Sequence, residues 1–246
     1  MIDTKYTYAV ARIRALETAL FTSATLDQLM ACQTEEQCLQ LLQEKGWGGA
    51  DTPVNAEAIL TREQEKIWEN IKDLGVDMSV FDVLSYPNMF HNLKAAIKDV
   101  CTEENGKTMN IYYDDTAVSP DEMLEIVRSK DFSRLPKYMA GAAKEAYETL
   151  LHTRDGQLCD VIVDKAALEA IYAAGKEAKD SIIKDYAEST VAIADIKIAV
   201  RSQKTAKNMD FMKRAMVECE SLSVAQLSKA AVNGIDAIVE YLSGTA

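Results

Sequence analysis

His91 and His152 are the only two imidazoles in the chain, and each lacks the company that metal binding or acid–base chemistry requires. A zinc-protease helix sets two histidines four residues apart with a glutamate beside the first, and His91 has neither partner. His152 has Glu148 four residues ahead of it, which is not the Glu-x-x-His spacing of a di-iron bundle. The five cysteines (Cys32, Cys38, Cys101, Cys159 and Cys219) include no Cys-x-x-Cys pair, so a zinc knuckle or redox motif has no support. They read as reduced thiols of a cytosolic interior. Cys32 and Cys38 stand six apart and on one helix would point in different directions. The acid pairs Glu35-Glu36 and Glu103-Glu104 would diverge on a helix, and Asp114-Asp115 reads as an exposed turn without further ligands. Neither glycine-rich phosphate loop appears, nor a Gly-x-Ser-x-Gly elbow. No catalytic, cofactor or metal residue is assigned, no small-molecule ligand is expected, and the chain does not read as an enzyme acting alone.

One constellation does recur. FHNLKAAIK at Phe90–Lys98 returns as IADIKIAVR at Ile193–Arg201, 103 residues later (193 − 90). Apolar residues fall at i, i+3 and i+7 in both copies: Phe90, Leu93, Ile97 and Ile193, Ile196, Val200. That spacing is one face of a helix, written twice. Lys94, Lys98, Lys197 and Arg201 recur in register and are the candidate partner-binding residues. Two readings stay open for them. They contact acidic or carbonyl-rich loops of a partner, or they sit near helix C-termini and oppose the macrodipole.

The elements that must position these residues are helical. Ala, Glu, Lys, Leu and Met are frequent, while ten Gly and four Pro are too few for a turn-rich β fold. Three helix starts resemble one another, near Thr25, Ser119 and Ser223, each opening on a hydroxyl able to cap. Their starts lie 94 and 104 residues apart (119 − 25 and 223 − 119). Repeats of about this period predict an all-α chain of pseudo-symmetric helical bundles: repeat 1 over 1–110, repeat 2 over 111–215, and the opening of a third, cut short, over 216–246. Within them, the pattern predicts a first helix from Tyr6 to Phe21 burying Tyr6, Val10, Ile13, Leu16 and Leu20. It also places Pro87 in the turn ahead of FHNLKAAIK. A single helix is expected from Leu158 to Tyr186, of about 40 Å, in which Ala173, Ala174 and Gly175 allow close approach. MNIYY, residues 109–113, is the only extended-looking run.

Charge narrows the partners. A net charge of −12 disfavours nucleic acid, whose binding needs a basic face, and anionic headgroups for the same reason. No apolar run reaches the ~18 residues of a membrane span, and MIDTKYTYAVARIRALE lacks the apolar segment of a secretory signal. A cytoplasmic protein with indirect membrane association is expected.

The chain resembles the subunit lettered C in bacterial and archaeal V-type (A/V-type) ATPases, the counterpart of the one lettered d in eukaryotic vacuolar ATPases. YTYAVARIRALETALFT, FHNLKAAIK, VIVDKAALEAIYAAGKEA and IADIKIAVR carry the resemblance, in the family's order and over essentially the whole chain. At the position before Ile-Lys in the second copy the family commonly has Asn, whereas this chain has Asp195. The resemblance implies a funnel-like body of three helical modules, the third truncated here. It implies a non-catalytic central-stalk subunit, a socket between the central shaft of the catalytic head and the membrane proteolipid ring. Such a subunit couples ATP hydrolysis or synthesis to proton or sodium transport, and it associates peripherally with the inner face of the membrane. The alternative reading is a soluble helical-repeat scaffold that binds other proteins.

Overall fold

The computed structural model describes residues 6–102 and 112–245. Over these the protein is all-α, with α-helices and two short 3-10 turns and no strand. It divides into two compact units, Met1–Ser79 and Val80–Ala246. Residues 109–111 of MNIYY, together with Glu103 and Glu104, lie outside the described residues, and Tyr112 and Tyr113 form no strand.

The first unit holds α1 (Thr7–Glu17), α2 (Ser23–Ala31), α3 (Glu35–Glu44) and α4 (Ala56–Asp73). Its helices start where hydroxyl and amide side chains accept from orphan amides: Thr22 from Thr25, Thr34 from Gln37 and Asn55 from Ala58. The second helix therefore begins ahead of the expected Thr25 start, because Thr22 is the cap and Thr25 the residue capped. Only Leu39 and Ile59 are buried apolar side chains among the described residues of this unit. The expected inward stripe of α1 is a correction: Tyr6, Val10, Ile13, Leu16 and Leu20 are all exposed. Amphipathic spacing creates an apolar face, but a face is buried only where another element covers it. Cys32 and Cys38 also differ from their one-helix reading, since Cys32 is the extended residue that closes α2 and Cys38 lies on α3.

The 3-10 turn Met78–Phe81 crosses the division between the units and leads into α5 (Asp82–Thr102), the first helix of the second unit. Pro87 lies inside α5 rather than ahead of it, at the cost of one backbone hydrogen bond. Then come α6 (Pro120–Ser129), the 3-10 turn Phe132–Arg134, α7 (Lys137–Thr153) and α8 (Gly156–Glu177). Ser119 caps α6 by accepting from Glu122 N at 3.3 Å, with Pro120 at the first helical position and Asp121 and Glu122 in the first turn. These four helices share one core, in which Met89, Phe90, Leu93, Ile97, Met123, Ile126, Met139 and Val163 are buried. Each fully buried side chain of this size contributes roughly 1.5–3 kcal/mol.

The expected single helix from Leu158 to Tyr186 is two. Backbone at Ala178 turns extended (φ −61°, ψ 142°), and Asp180 caps α9 (Ser181–Lys204) by accepting from Ile182 N at 2.9 Å. IADIKIAVR is accordingly in the C-terminal half of α9, and Ile182 near its start is exposed. After α9 follow α10 (Met209–Ala215), α11 (Val224–Asn233) and α12 (Ile235–Ser243), with a second core of Ala199, Met212, Met216, Leu227 and Ile238. A small cluster of Val83, Ile171 and Ala187 links α8 to α9. Gly175 is what allows it: a Cβ there would lie 2.2 Å from Ala187 Cβ. Ser223 precedes α11 as expected, yet its side chain makes no capping bond; its amide donates to Tyr241 Oη at 2.9 Å instead.

Candidate interaction surface

Asn92 and Asp195 occupy equivalent places in the two copies of the recurring helix, and both are fully buried. Asn92 ties α5 to the segment ahead of α6. Its Oδ1 accepts from Tyr113 N at 2.9 Å, and its Nδ2 donates to Tyr113 O at 2.8 Å and to Thr116 Oγ1 at 3.1 Å. Asp195 ties α9 to the segment ahead of α11, its Oδ1 accepting from Val217 N at 3.2 Å. Tyr113 and Val217 each stand six residues before the serine that opens the next helix (119 − 113 and 223 − 217). One polar side chain per copy thus latches a helix to the strap that leads into its neighbour.

The latches differ in chemistry. An amide both donates and accepts, so Asn92 satisfies both backbone groups of Tyr113. A carboxylate only accepts, and Asp195 Oδ2 is buried with no partner. Burial pushes the Asp195 carboxyl up to about 7, against the downward pull of the Val217 amide, with Glu218 adding to the rise and Lys165 opposing it.

The four cations separate into two pairs. On α5, Lys94 Nζ lies 2.7 Å from Asp164 Oδ1 and Lys98 Nζ donates to Asp160 Oδ2 at 2.9 Å, both carboxylates belonging to α8. Because the lower-numbered lysine meets the higher-numbered aspartate, α5 and α8 run antiparallel along this seam. On α9, Lys197 and Arg201 are exposed and form no ion pair among the described residues. The apolar residues beside them separate likewise. Phe90 is 2% exposed and Leu93 and Ile97 are fully buried, whereas Ile193 is 51% exposed and Ile196 and Val200 are half-buried.

Asp160 and Asp164 were not singled out in the sequence, though a signal existed: two acids four apart on α8 match two lysines four apart on α5. Of the two histidines, His91 packs edge-on against Tyr113 with ring centroids 5.0 Å apart, and His152 is exposed in the last turn of α7. Beside the seam, α7, α8 and α10 enclose an open groove of about 430 Å³ with Lys137, Lys165 and Arg214 on its walls and Glu145 and Glu169 among them. Among the described residues, no group of three or more His, Cys, Asp or Glu could hold a metal ion. Nor is any helix among them long and apolar enough to cross a membrane.

No curated protein and no solved structure matches the chain. The model of the family described as ATP synthase (C/AC39) subunit matches residues 9–246. With that match extending over both copies of the recurring helix, their latches and the seam between α5 and α8, the chain belongs to the ATP synthase (C/AC39) subunit family.

Proposed function

We propose that this chain is a non-catalytic central-stalk subunit of a V/A-type ATPase. In this reading it is a socket that grips the central shaft of the catalytic head on one side and the membrane proteolipid ring on the other. It carries torque between ATP hydrolysis or synthesis and the movement of protons or sodium ions. The observation that carries the reading is the recurrence of the latched helix, with Asn92 and Asp195 each pinning a helix to the strap six residues before the next one. A body that transmits torque has to resist shear between its modules. Buried polar bonds between a helix and its following strap do that by coupling elements that hydrophobic packing alone would let slide.

Membrane association, on this reading, comes through protein partners at the inner face of the membrane, since a net charge of −12 repels anionic headgroups. The experiment is removal of the subunit from the purified complex. The soluble head is expected to keep hydrolysing ATP while separating from the membrane sector, and ion pumping is expected to stop. Pumping at the normal rate without the subunit overturns the proposal.

A further inference from the structure

The two buried latches are built alike, but only one of them can change its charge. Asn92 uses both halves of its amide: Oδ1 accepts from Tyr113 N, while Nδ2 donates to Tyr113 O and to Thr116 Oγ1. Asp195, equally buried on α9, accepts from Val217 N at 3.2 Å through Oδ1 and leaves Oδ2 buried without a partner. An ionised carboxylate in that place is short of donors, because one backbone amide does not replace the hydrogen bonds that water gives a charge. A protonated carboxyl is uncharged, and its O–H is a donor like the Asn92 amide.

The strap that Asp195 grips, residues 216–222, is held differently at its two ends. Toward α11, Glu188 of α9 accepts from Glu220 N at 3.2 Å and from Ser221 N at 2.7 Å. Burial pushes the Glu188 carboxyl up, but its hydrogen bonds with Ser221 and Glu220 outweigh that and hold it below the usual carboxylate value. This anchor is therefore charged throughout the neutral range. Toward α10, Met216 and Val217 border an open groove of about 490 Å³ with Lys165, Lys213 and Glu218. The residue whose amide Asp195 holds thus stands beside an opening to solvent.

We propose that Asp195 makes this strap a pH-sensitive latch. Uncharged, it keeps the strap closed on α9 as Asn92 keeps its own. On losing its proton it releases the Val217 end toward the groove, while Glu188 retains the other end as a hinge. Burial holds the proton until about 7, whereas a carboxyl opened to water gives it up near 3.8. Between those values the closed strap carries one more proton than the open one. Opening therefore becomes easier as pH rises to about 7 and is level above it, and acidification tightens the latch.

Few charged groups face Asp195. Glu218 on the strap opposes ionisation and Lys165 on α8 favours it. Cys219, also on the strap, is pushed up to about 11 by burial and stays a thiol. From α10, α11 and α12 the core around α9 receives apolar side chains, Met212, Leu227 and Ile238, and buried Ser228 donates to Met216 Sδ. Lys213 of α10 lines the groove.

The experiment is native-state amide exchange of the full chain from pH 5 to 8, read amide by amide and divided by the intrinsic rate at each pH, so that local opening is isolated. Protection of Val217 N is expected to fall about three- to tenfold per pH unit up to about pH 7 and then to level, since one linked proton allows at most about tenfold per unit. Tyr113 N, held by Asn92, is expected to keep its protection across the range, and in Asp195→Asn so is Val217 N. The parent protein supplies a readout independent of any variant: the Asp195 side-chain carbon, followed by NMR, is expected to titrate near neutrality. Protection of Val217 N that ignores pH, the same decline in Asp195→Asn, a parallel decline at Tyr113 N, or a carboxyl that titrates in the ordinary carboxylate range each overturn the proposal. The latch is the same whether or not the chain serves a rotary complex, so these results leave the membrane-attachment test untouched.

Discussion

Asp195→Asn should stabilise the protein, and the gain should grow with pH. The side chain is fully buried, one oxygen accepts from Val217 N, and the other has no partner. An unfolded chain releases this proton near 3.8, whereas burial holds it in the folded protein until about 7. Between those values the folded state binds the extra proton, so stability falls as pH rises through the window and is flat above it. Each pKa unit corresponds to about 1.36 kcal/mol, which sets a ceiling of roughly 4 kcal/mol for the full shift. Relaxation and water penetration around a buried charge reduce such figures, and about 2 kcal/mol is expected. Asparagine stays neutral throughout and adds the donor that Asn92 uses on the Tyr113 carbonyl. Urea unfolding of both proteins at half-unit steps from pH 4.5 to 8.5 isolates the effect, since every other titration cancels in the difference. The gain is expected to be smallest at pH 4.5, to climb to about pH 7 and then to level. A gain that does not change with pH, or a variant less stable than the parent at pH 8, refutes the reasoning.

Three further outcomes follow from the same geometry. Asn92→Leu removes the Asn92 bonds to both backbone groups of Tyr113, leaving the carbonyl only Thr116 Oγ1 at 3.3 Å, and should cost about 2–4 kcal/mol in urea unfolding, with little pH dependence between 5 and 8; a loss under 1 kcal/mol would mean that the latch is not structural. Gly175→Ala places a Cβ 2.2 Å from Ala187 Cβ and should destabilise by about 1–3 kcal/mol, with Ala187→Gly restoring most of the loss in the double variant; no rescue would place the strain elsewhere. Cys159 is fully buried, and burial, aided by Asp160 and opposed by Lys98 and Lys94, pushes its thiol up to about 11. Alkylation at pH 8 followed by mass spectrometry should therefore find it the last of the five cysteines to react in the native protein, and prompt modification would contradict its position.

How far these features were legible in the sequence depends on their range. Ser119 with Pro120 and two acids announced α6, because a cap is settled by four consecutive residues. The break between α8 and α9 was hidden, because Ala178–Asp180 contains no glycine or proline and the apolar spacing continues across it. Asp180 is the only local sign, as a cap in the middle of a helical pattern. Pro87 misled in the other direction, since tertiary packing carries a proline within α5 that local rules place outside it.

The recurring helix divides the two kinds of knowledge. Sequence alone determined that both copies are amphipathic, that each carries two cations four apart, and that they lie 103 residues apart, because helical period and residue type are local properties. Only the tertiary structure decided that Phe90 is covered while Ile193 is open, and that Lys94 and Lys98 are paired while Lys197 and Arg201 are not. The carboxylates responsible come from α8, 62 and 70 residues further along the chain. No pattern within either nine-residue copy encodes which of them a distant helix will cover.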